Sequence, residues 1–303
     1  MSNIETREEE SRESLLGQIW ASIGMTIVLG IICCGLYPLV VWGIGQLIFP
    51  HQANGSLVKK DGTPTSDDTQ AVGSALIGQN FSAPGYFHPR PSSAGAGYDA
   101  TSSGGSNLGP LSDQLINGKT TSPTPPATQP AESLTFDGIR LRTLHYALDN
   151  GISFKLYSVR SDGTGSGTEV PLSKFADSQG NLNDIALVDA FPHPPTDPTD
   201  RMTTIADDFS TPIPGDAVTG SGSGLDPHIS PANAQIQEAR VAKTRGITAE
   251  QVQALIDEHT DRPGLGVFGD PGVNVLPLNL ALDAKYPIPT APSATATTQP
   301  TAK

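Results

Sequence analysis

The chain has 303 residues, with 18 Lys or Arg against 31 Asp or Glu, and a formal net charge of −13. This acidic balance argues against a nucleic-acid-binding protein, because that class carries a basic footprint. Gly and Pro are abundant, at 32 and 27 residues, whereas aromatic residues make up only 6%. The composition therefore predicts a loop-rich soluble part with a modest core.

The first elements in chain order are a charged tail at residues 1–14 and an apolar run at 15–49. No Lys, Arg, Asp or Glu occurs between Glu13 and Lys59. Because a membrane-spanning helix needs about 20 mostly apolar residues, the run predicts a transmembrane anchor in the lipid bilayer. A cleaved signal peptide fits poorly, since the run is too long and no small-x-small site follows it. Pro38 predicts a kink or a helix end inside the run.

One side of this anchor carries small residues at every fourth position: Ser22, Thr26, Gly30 and Cys34. Small residues let two helix backbones approach closely in lipid, so this stripe predicts a docking face for a partner helix. Chance is the alternative, because Gly and Ser are common in membrane spans. Cys33 and Cys34 are the only cysteines and are interpreted as small apolar residues.

Beyond the anchor, we expect a soluble domain in two halves, at residues 50–112 and 216–286, with an insert at 113–215 and a disordered tail at 287–303. Residues 72–77 predict a short strand. The irregular stretch at 79–110 interleaves aromatic residues with Gly, Pro and Ser, which favours an ordered and functional loop.

The insert reads as β-rich. Residues 152–159 alternate apolar and polar side chains, which is typical of a strand, and residues 186–191 are interpreted as a second strand. Pro/Thr-rich and Pro-rich flanks predict soft linkers, with few contacts between the insert and the rest of the domain. The predicted fold class is thus a single N-terminal transmembrane helix plus a loop-rich α+β soluble domain interrupted by a β-rich insert.

The second half of the soluble domain carries clear helix boundaries. Ser230 followed by a proline predicts a helix start, and Gly246 predicts its end. Thr248 with Gln251 three residues later forms a capping box for the next helix. Residues 273–276 predict a short strand, and 277–285 predict a last amphipathic helical segment.

The sequence contains no recognisable catalytic or metal-binding motif. The six His show no ligand spacing, so we expect neither a metal site nor catalytic residues. The glycine cluster at 220–224 is interpreted as a flexible loop, with phosphate binding as the weaker alternative. Residues 103–107 are interpreted as a tight turn, with an anion-binding nest of backbone N–H groups as the alternative. The sequence 226–228, Asp-Pro-His, is interpreted as a turn and not as a catalytic dyad.

Several separated motifs together resemble one family. They include FPHQANGS, GSALIGQNF, GYFHPRPS, SGGSNLGP, SGSGLDPHISP and VNVLPLNLALD, in that order. They are similar to the C subunit, KdpC, of the bacterial Kdp potassium-transporting P-type ATPase complex. The resemblance covers residues 15–111 and 216–285, whereas the insert departs from the family pattern.

The resemblance implies an accessory subunit of a high-affinity potassium uptake complex in the cytoplasmic (inner) membrane. It implies a cytoplasmic N-terminus, a large extracytoplasmic domain, and two partners, which are a channel-like potassium-selecting subunit and a P-type ATPase subunit. The chain would assemble or stabilise these partners and is expected to be non-catalytic. We expect Phe81, Tyr86 and Phe87 to pack against the potassium-selecting partner.

The resemblance also implies a second role, as a catalytic chaperone that raises the ATP affinity of the ATPase subunit. The residues implied in nucleotide contact are Gln79, Ser103, Gly104, Gly105, Ser106 and Asn107. A single span leaves the soluble domain on one side only, and Lys and Arg flank both ends of the anchor equally, so charge does not decide which side. A free-standing anchored binding module of the cell envelope and an envelope enzyme are the alternatives.

Overall fold

The computed structural model describes residues 15–121, 133–160, 167–177, 179–191, 203–264 and 268–289. The remaining residues, which include the charged tail at 1–14 and most of the predicted C-terminal tail, lie outside the described part. Contacts divide the chain into two compact units. One consists of Met1–Leu57 and Pro64–Ala71, and the other consists of Val58–Thr63 and Val72–Lys303.

The anchor is a single long apolar helix. It comprises α1 (Leu15–Gly30), a π-helical turn (Ile31–Leu36) and α2 (Tyr37–Ile48). The apolar part, Leu16–Ile48, has 33 residues, none of them buried by the rest of the described chain. At about 1.5 Å per residue it is longer than the hydrocarbon core of a bilayer, which is about 30 Å thick. The helix therefore fits a single membrane crossing, as predicted.

The irregularity predicted at Pro38 is present as the π-helical turn immediately before it. Proline has no N–H, so the helical bond that residue 38 would give to the carbonyl of Cys34 is missing. The adjacent Tyr37 N–H donates instead to the carbonyl of Ile32, five residues earlier. The regular α-helix stops at Gly30 and resumes at Tyr37.

The first half of the soluble domain contains little regular structure. A four-residue helix, α3 (Pro50–Ala53), follows the anchor, and β1 (Leu57–Lys59) and β2 (Ala71–Ser74) form a two-stranded sheet. Strand β2 confirms the strand predicted at 72–77, although it ends earlier. The stretch 79–110 has no helix or strand, as the sequence predicted.

The insert contains helices as well as strands. Its elements are α4 (Asp113–Asn117), β3 (Lys119–Thr121), β4 (Ser133–Phe136), α5 (Gly138–Asp149), β5 (Phe154–Arg160), β6 (Glu169–Val170), a 3₁₀ turn (Leu172–Phe175), α6 (Asp184–Ala190) and β7 (Thr203–Phe209). Strand β5 confirms the prediction at 152–159 and lies between β6 and β7 in an antiparallel sheet. The strand predicted at 186–191 is wrong. Asn183 caps a helix there by accepting the Ala186 N–H at 3.1 Å, and Leu187 and Val188 are buried.

The prediction that few contacts join the insert to the rest of the domain is also wrong. The Tyr146 hydroxyl on α5 donates to Asn233 Oδ1 at 2.8 Å, and Arg240 Nε donates to Asn150 Oδ1 at 3.0 Å. Arg142, also on α5, donates to the carbonyl of Val218 at 3.3 Å. Helix α5 was not anticipated from the sequence, and this helix and its C-cap residue Asn150 make these three contacts.

The second half supplies the main core. Its elements are α7 (Gly215–Val218), β8 (His228–Ile229), α8 (Pro231–Arg245), α9 (Ala249–Glu258), β9 (Thr260–Asp261), β10 (Gly272–Asn274) and α10 (Val275–Lys285). The three strands form an antiparallel sheet with β10 in the middle. The buried apolar cluster comprises Phe87, Ile229, Ala234, Val241, Ala242, Val252, Leu255, Ile256, Val273, Val275, Leu278 and Leu282.

The helix boundaries predicted for this half are confirmed. The Ser230 side chain accepts the Asn233 N–H, and Gly246 ends α8 in the left-handed conformation with φ 67°. Thr248 and Gln251 form the capping box of α9. The strand predicted at 273–276 is shorter than expected, because α10 already begins at Val275.

Two buried amide side chains hold the stretch 79–110, which we call the aromatic loop, against the helices. Asn279 on α10 accepts the Phe87 N–H at 2.8 Å and donates to the Phe87 carbonyl at 3.0 Å. Gln237 on α8 accepts the His88 N–H at 2.7 Å and donates to the His88 carbonyl at 3.1 Å. Each amide thus makes the same pair of bonds that a neighbouring β-strand would make. The backbone N–H and C=O groups of Phe87 and His88 are therefore hydrogen-bonded although the loop belongs to no sheet.

Arg245 fastens the same loop at the end of α8. Its side chain is 0% exposed and forms an ion pair with Asp283 at 2.9 Å. It also donates to the carbonyls of Gly85 and Tyr286, each at 2.7 Å, and its guanidinium lies 4.9 Å from the centre of the Tyr86 ring. This one buried cation therefore joins the aromatic loop to α8, to α10 and to the residue that follows α10.

We predict that Arg245→Met destabilises the domain by about 3 kcal/mol. Removing one partner of a buried pair costs about 3–5 kcal/mol, and the lower end applies because the Asp283 side chain is 34% exposed. The measurement is the free energy of unfolding of the full chain in detergent, by urea titration. Lys243→Met, at an exposed position of the same helix, is the control and should change this free energy by less than about 0.5 kcal/mol. Equal effects of the two substitutions would contradict the prediction.

Candidate functional site

The candidate site is formed by two glycine-serine loops that lie against each other, at residues 103–107 and 220–225. The Gly104 N–H donates to the carbonyl of Ser223 at 2.8 Å, and the Ser103 hydroxyl donates to the same carbonyl at 3.1 Å. The Ser92 hydroxyl donates to the carbonyl of Gly224 at 2.6 Å. Two stretches that the sequence suggested as a tight turn and a separate flexible loop are thus one cross-bonded unit, which we call the paired loops.

Gly224 makes the close approach of the paired loops sterically feasible. Its φ is +67°, and a Cβ atom there would lie 2.6 Å from the Gly104 carbonyl oxygen and 2.8 Å from the Ala94 nitrogen. Only glycine combines this left-handed conformation with the absence of a side chain. At Gly222, two residues earlier, a Cβ atom would have no neighbouring atom within 4 Å.

Gln79 lies beside the same segment. The N–H of its neighbour Gly78 donates to the carbonyl of Leu225 at 2.8 Å, while the Gln79 amide contacts the carbonyl of Val72 at 3.4 Å. Ser103 and Gly104, together with Gly78 next to Gln79, therefore bond to one short stretch, 223–225, although they are far apart in sequence. The Gly104 N–H, however, already donates to Ser223, so it is occupied in this conformation and is not offered to an anion.

A cavity of about 540 Å³ adjoins the paired loops. Its lining includes Gly105 and Ser106 of the paired loops and Arg142 of the insert. The guanidinium of Arg142 is paired with Asp137 at 2.6 Å, so its charge is largely neutralised. The insert thus forms part of the wall of the candidate site, which the sequence did not predict.

An ion pair lies next to the paired loops and was missed by sequence reasoning. Arg90 Nη1 contacts Asp226 Oδ2 at 2.8 Å, with both side chains about three-quarters buried. His228, through its imidazole and its backbone N–H, and then Arg90 lower the pKa of Asp226 to about 2. Asp226 Oδ1 accepts the His228 N–H at 3.0 Å, which confirms the predicted turn. Nothing in the sequence pairs residues 90 and 226, because they are joined only by the fold.

The three predicted aromatic anchors occupy different environments. Phe87 is 0% exposed and belongs to the core of the domain, so the prediction that it contacts a partner is wrong. Phe81 and Tyr86 are half-buried and their rings lie 5.5 Å apart. The Tyr86 hydroxyl donates to Asp283 at 3.0 Å. Partner contact stays a prediction for Phe81 and Tyr86.

The small-residue stripe of the anchor is exposed along its whole length in the described chain, apart from the half-buried neighbour Gly35. The hydroxyls of Ser22 and Thr26 donate to the carbonyls four residues earlier, at 2.8 Å in each case. A Cβ atom at Gly30 would have no neighbouring atom within 4 Å. Cys34 lies in the π-helical turn. The polar groups of the stripe are therefore satisfied within the helix, and its surface is smooth and open to a neighbour.

Among the described residues, no group of three or more His, Cys, Asp or Glu is arranged to hold a metal ion. Asp99, an acid of the aromatic loop, accepts bonds from the N–H and hydroxyl of Thr101, which lower the pKa of Asp99. It is therefore a turn-forming residue.

Comparison with known proteins gives the family. A sequence model of KdpC, described as the c chain of K⁺-transporting ATPases, matches residues 19–128 and 196–284. The potassium-transporting ATPase KdpC subunit of Mycobacterium tuberculosis (strain H37Rv) is 38% identical over 272 residues, covering 90% of this chain and 98% of that protein. The KdpC subunit of Caulobacter vibrioides (strain NA1000) is 39% identical over 267 residues, covering 88% and 91%. This chain belongs to the KdpC family.

The KdpC match begins at residue 19 and includes most of the anchor, the aromatic loop and the paired loops. It is interrupted between residues 128 and 196, within the insert. Helix α5, which lines the cavity and contacts α8, lies in this unmatched stretch. The wall that Arg142 contributes to the cavity is therefore outside the part that the family match covers.

We predict that Gly224→Ala disrupts the paired loops. The positive φ costs about 1–2 kcal/mol for a residue with a Cβ, and the contact with the Gly104 carbonyl adds to this. The expected result is a loss of about 2 kcal/mol in the free energy of unfolding of the full chain, measured in detergent with urea. Gly222→Ala is the matched control and should have little effect. A Gly224→Ala protein as stable as the control would show that the loops are not held together as described.

Proposed function

We propose that this KdpC family member is a non-catalytic, accessory subunit of an ATP-driven potassium uptake complex. Its role is to assemble or stabilise the complex. Family membership carries this proposal, and the exposed single helix of the anchor supports it. The paired loops and their cavity offer no recognisable nucleophile with a neighbouring base, which favours a binding role over a catalytic one.

The proposed partners are the channel-like potassium-selecting subunit and the P-type ATPase subunit of the same complex. The stripe Ser22, Thr26, Gly30 and Cys34 is proposed to dock a helix of one of them. Lipid provides no hydrophobic drive for helix association, so close packing at small residues supplies the contact energy. The stripe's internally bonded hydroxyls support this role, because they leave no polar group to be satisfied by the partner.

For topology, we propose a cytoplasmic N-terminus and an extracytoplasmic soluble domain in the inner membrane. This follows from the family resemblance, because charge does not decide the orientation. A reporter fused after Lys303 and another before Ser2 would test it directly. If the reporter fused after Lys303 shows activity that is possible only in the cytoplasm, the proposed orientation is overturned.

A role as a catalytic chaperone is the second proposal. It is supported by the bonds that Gly78, the neighbour of Gln79, and the 103–107 loop both make to residues 223–225, since a nucleotide could contact both segments. Two features weigh against it. The Gly104 N–H is already bonded, and an extracytoplasmic domain with one span cannot reach cytoplasmic ATP. Assembly through packing is therefore the function we favour.

A free-standing envelope binding module is the alternative to complex membership. Purification through a tag on this chain, in mild detergent, distinguishes these two hypotheses. A pump subunit should copurify with two larger membrane proteins in fixed stoichiometry. Recovery of the chain alone from cells that express the whole complex would overturn the proposed function.

We predict that Gly30→Leu lowers the yield of intact complex several-fold, because the new side chain pushes the partner backbone away from the stripe. Yield is measured by tag purification and size-exclusion chromatography. Gly24→Leu is the matched control. Its position points away from the stripe by the helical period of 3.6 residues, and it too has no neighbouring atom within 4 Å. Equal yields for the two variants would eliminate the docking face.

The two roles of the aromatic and paired loops predict opposite results for Gln79→Ala. Under the packing role, the ATP concentration for half-maximal hydrolysis by the purified complex stays unchanged. Under the chaperone role, that concentration rises while assembly is intact. Gln253→Ala serves as the control, because Gln253 is a partly exposed glutamine on α9 whose side chain bonds to Asp257 of the same helix. We expect no change, and a rise confined to Gln79→Ala would reverse our preference.

A further inference from the structure

The side chain of His228 crosses the three-stranded sheet of the second half. His228 lies on β8, at one edge of the sheet, and Asp261 lies on β9, at the other edge. The imidazole Nε2 is nevertheless 2.9 Å from Asp261 Oδ2. The two residues that form this bridge are therefore separated by the whole of the middle strand, β10.

The bridge depends on Gly272 in β10. Gly272 pairs with Asp261 in the strand register, so it lies beneath the path of the imidazole. A Cβ atom at this position would lie 3.2 Å from His228 Cβ and 3.3 Å from both Cγ and Cδ2. A Cβ atom here would require the ring to shift by a few tenths of an ångström, so the absence of a side chain lets His228 lie in this position across β10.

The charged groups around the ring are mostly acidic. Asp226 Oδ1 lies 3.7 Å from Nδ1, on the side opposite to Asp261. Asp216 and Asp270 line the same cavity of about 410 Å³, and Arg90 is the cation there. Asp226 is paired with Arg90, and Asp216 accepts bonds from Ser230 and Asn233. His228 thus lies between two carboxylates, one on its own segment and one on β9.

Strand β9 is short and at an edge of the sheet. It has two residues, which pair with Gly272 and Val273 of β10. The Thr260 hydroxyl is bonded to the Ile256 carbonyl of α9, whereas the Asp261 side chain is bonded to His228. We propose that His228 is a pH-sensitive latch that, when protonated, holds the Asp261 end of β9 on the sheet and releases it as the pH rises.

The direction of the pH effect follows from the two carboxylates. The carboxylate of Asp226, and then that of Asp261, raise the pKa of His228 above its ordinary value of 6.5, despite partial burial. Folding therefore favours the protonated form. The stabilisation is complete below the unfolded-state pKa, near 6.5, and is lost as the pH rises through the higher folded-state pKa. Asp226, with a pKa of about 2, stays ionised throughout this window.

The first test measures the pKa of His228 by NMR, with ¹³C-labelled histidine in the full chain in detergent micelles. Asp261→Asn should lower this pKa, because one of the two carboxylates is removed. Gly272→Ala should also lower it, because the ring is displaced from an intact Asp261. Asp270→Asn is the control, since Asp270 lines the same cavity without a bond to the ring, and it should lower the pKa less. Equal values in wild type and Asp261→Asn would overturn the latch.

The second test follows β9 itself by amide hydrogen exchange. Exchange is measured at a pH below 6.5 and at one above the measured pKa of His228, and each rate is divided by the intrinsic rate at that pH. In the wild type, exchange at residues 260–262 should rise several-fold at the higher pH. In Asp261→Asn it should be fast at both, and helix α8 should not change in either protein. Wild-type protection at 260–262 that is the same at both pH values would overturn the proposal.

Discussion

The ordered state of the soluble domain depends on polar side chains that bond the backbone of an irregular loop. A long loop without strands leaves its N–H and C=O groups unpaired unless other groups bond them, and each unpaired buried group costs about 1–3 kcal/mol. Asn279, Gln237 and Arg245 fulfil this need for residues 85–88. The aromatic loop is therefore built into the same core as helices α8 and α10, and Phe87 can be fully buried within it.

The same principle explains how distant parts of the sequence converge at the candidate site. The segment 223–225 offers carbonyl groups in succession, and the segments around Gly78, Ser92 and Gly104 bond to it. Glycine at position 224 removes the steric obstacle to this assembly. A family match that comprises all of these segments is consistent with a site that works as a unit, in which a change at one loop is felt by the others.

The sequence predicted the elements that depend on local signals. The apolar run predicted the anchor, and Ser230, Gly246 and the Thr248–Gln251 box predicted the helix ends, because caps act within a few residues. The interactions between distant residues were not predictable from one sequence. Arg90 meets Asp226, and Tyr146 meets Asn233, only after folding. Residues 186–191 were misassigned because a short apolar run suits a buried helix face as well as a strand. The Asn183 cap, which decides between them, was overlooked.

The π-helical turn before Pro38 has a geometric consequence for the anchor. A π turn accommodates one residue more per turn than an α-helix, so it changes the angular relation between the faces that precede and follow it. Ser22, Thr26 and Gly30 lie before the turn, and Trp42 lies after it. Compared with an uninterrupted α-helix over the same residues, the extra residue held by the turn Ile31–Leu36 rotates one half of the span relative to the other by about 100°. The length of this short turn thus sets which residues of the two halves face the same neighbour in the membrane.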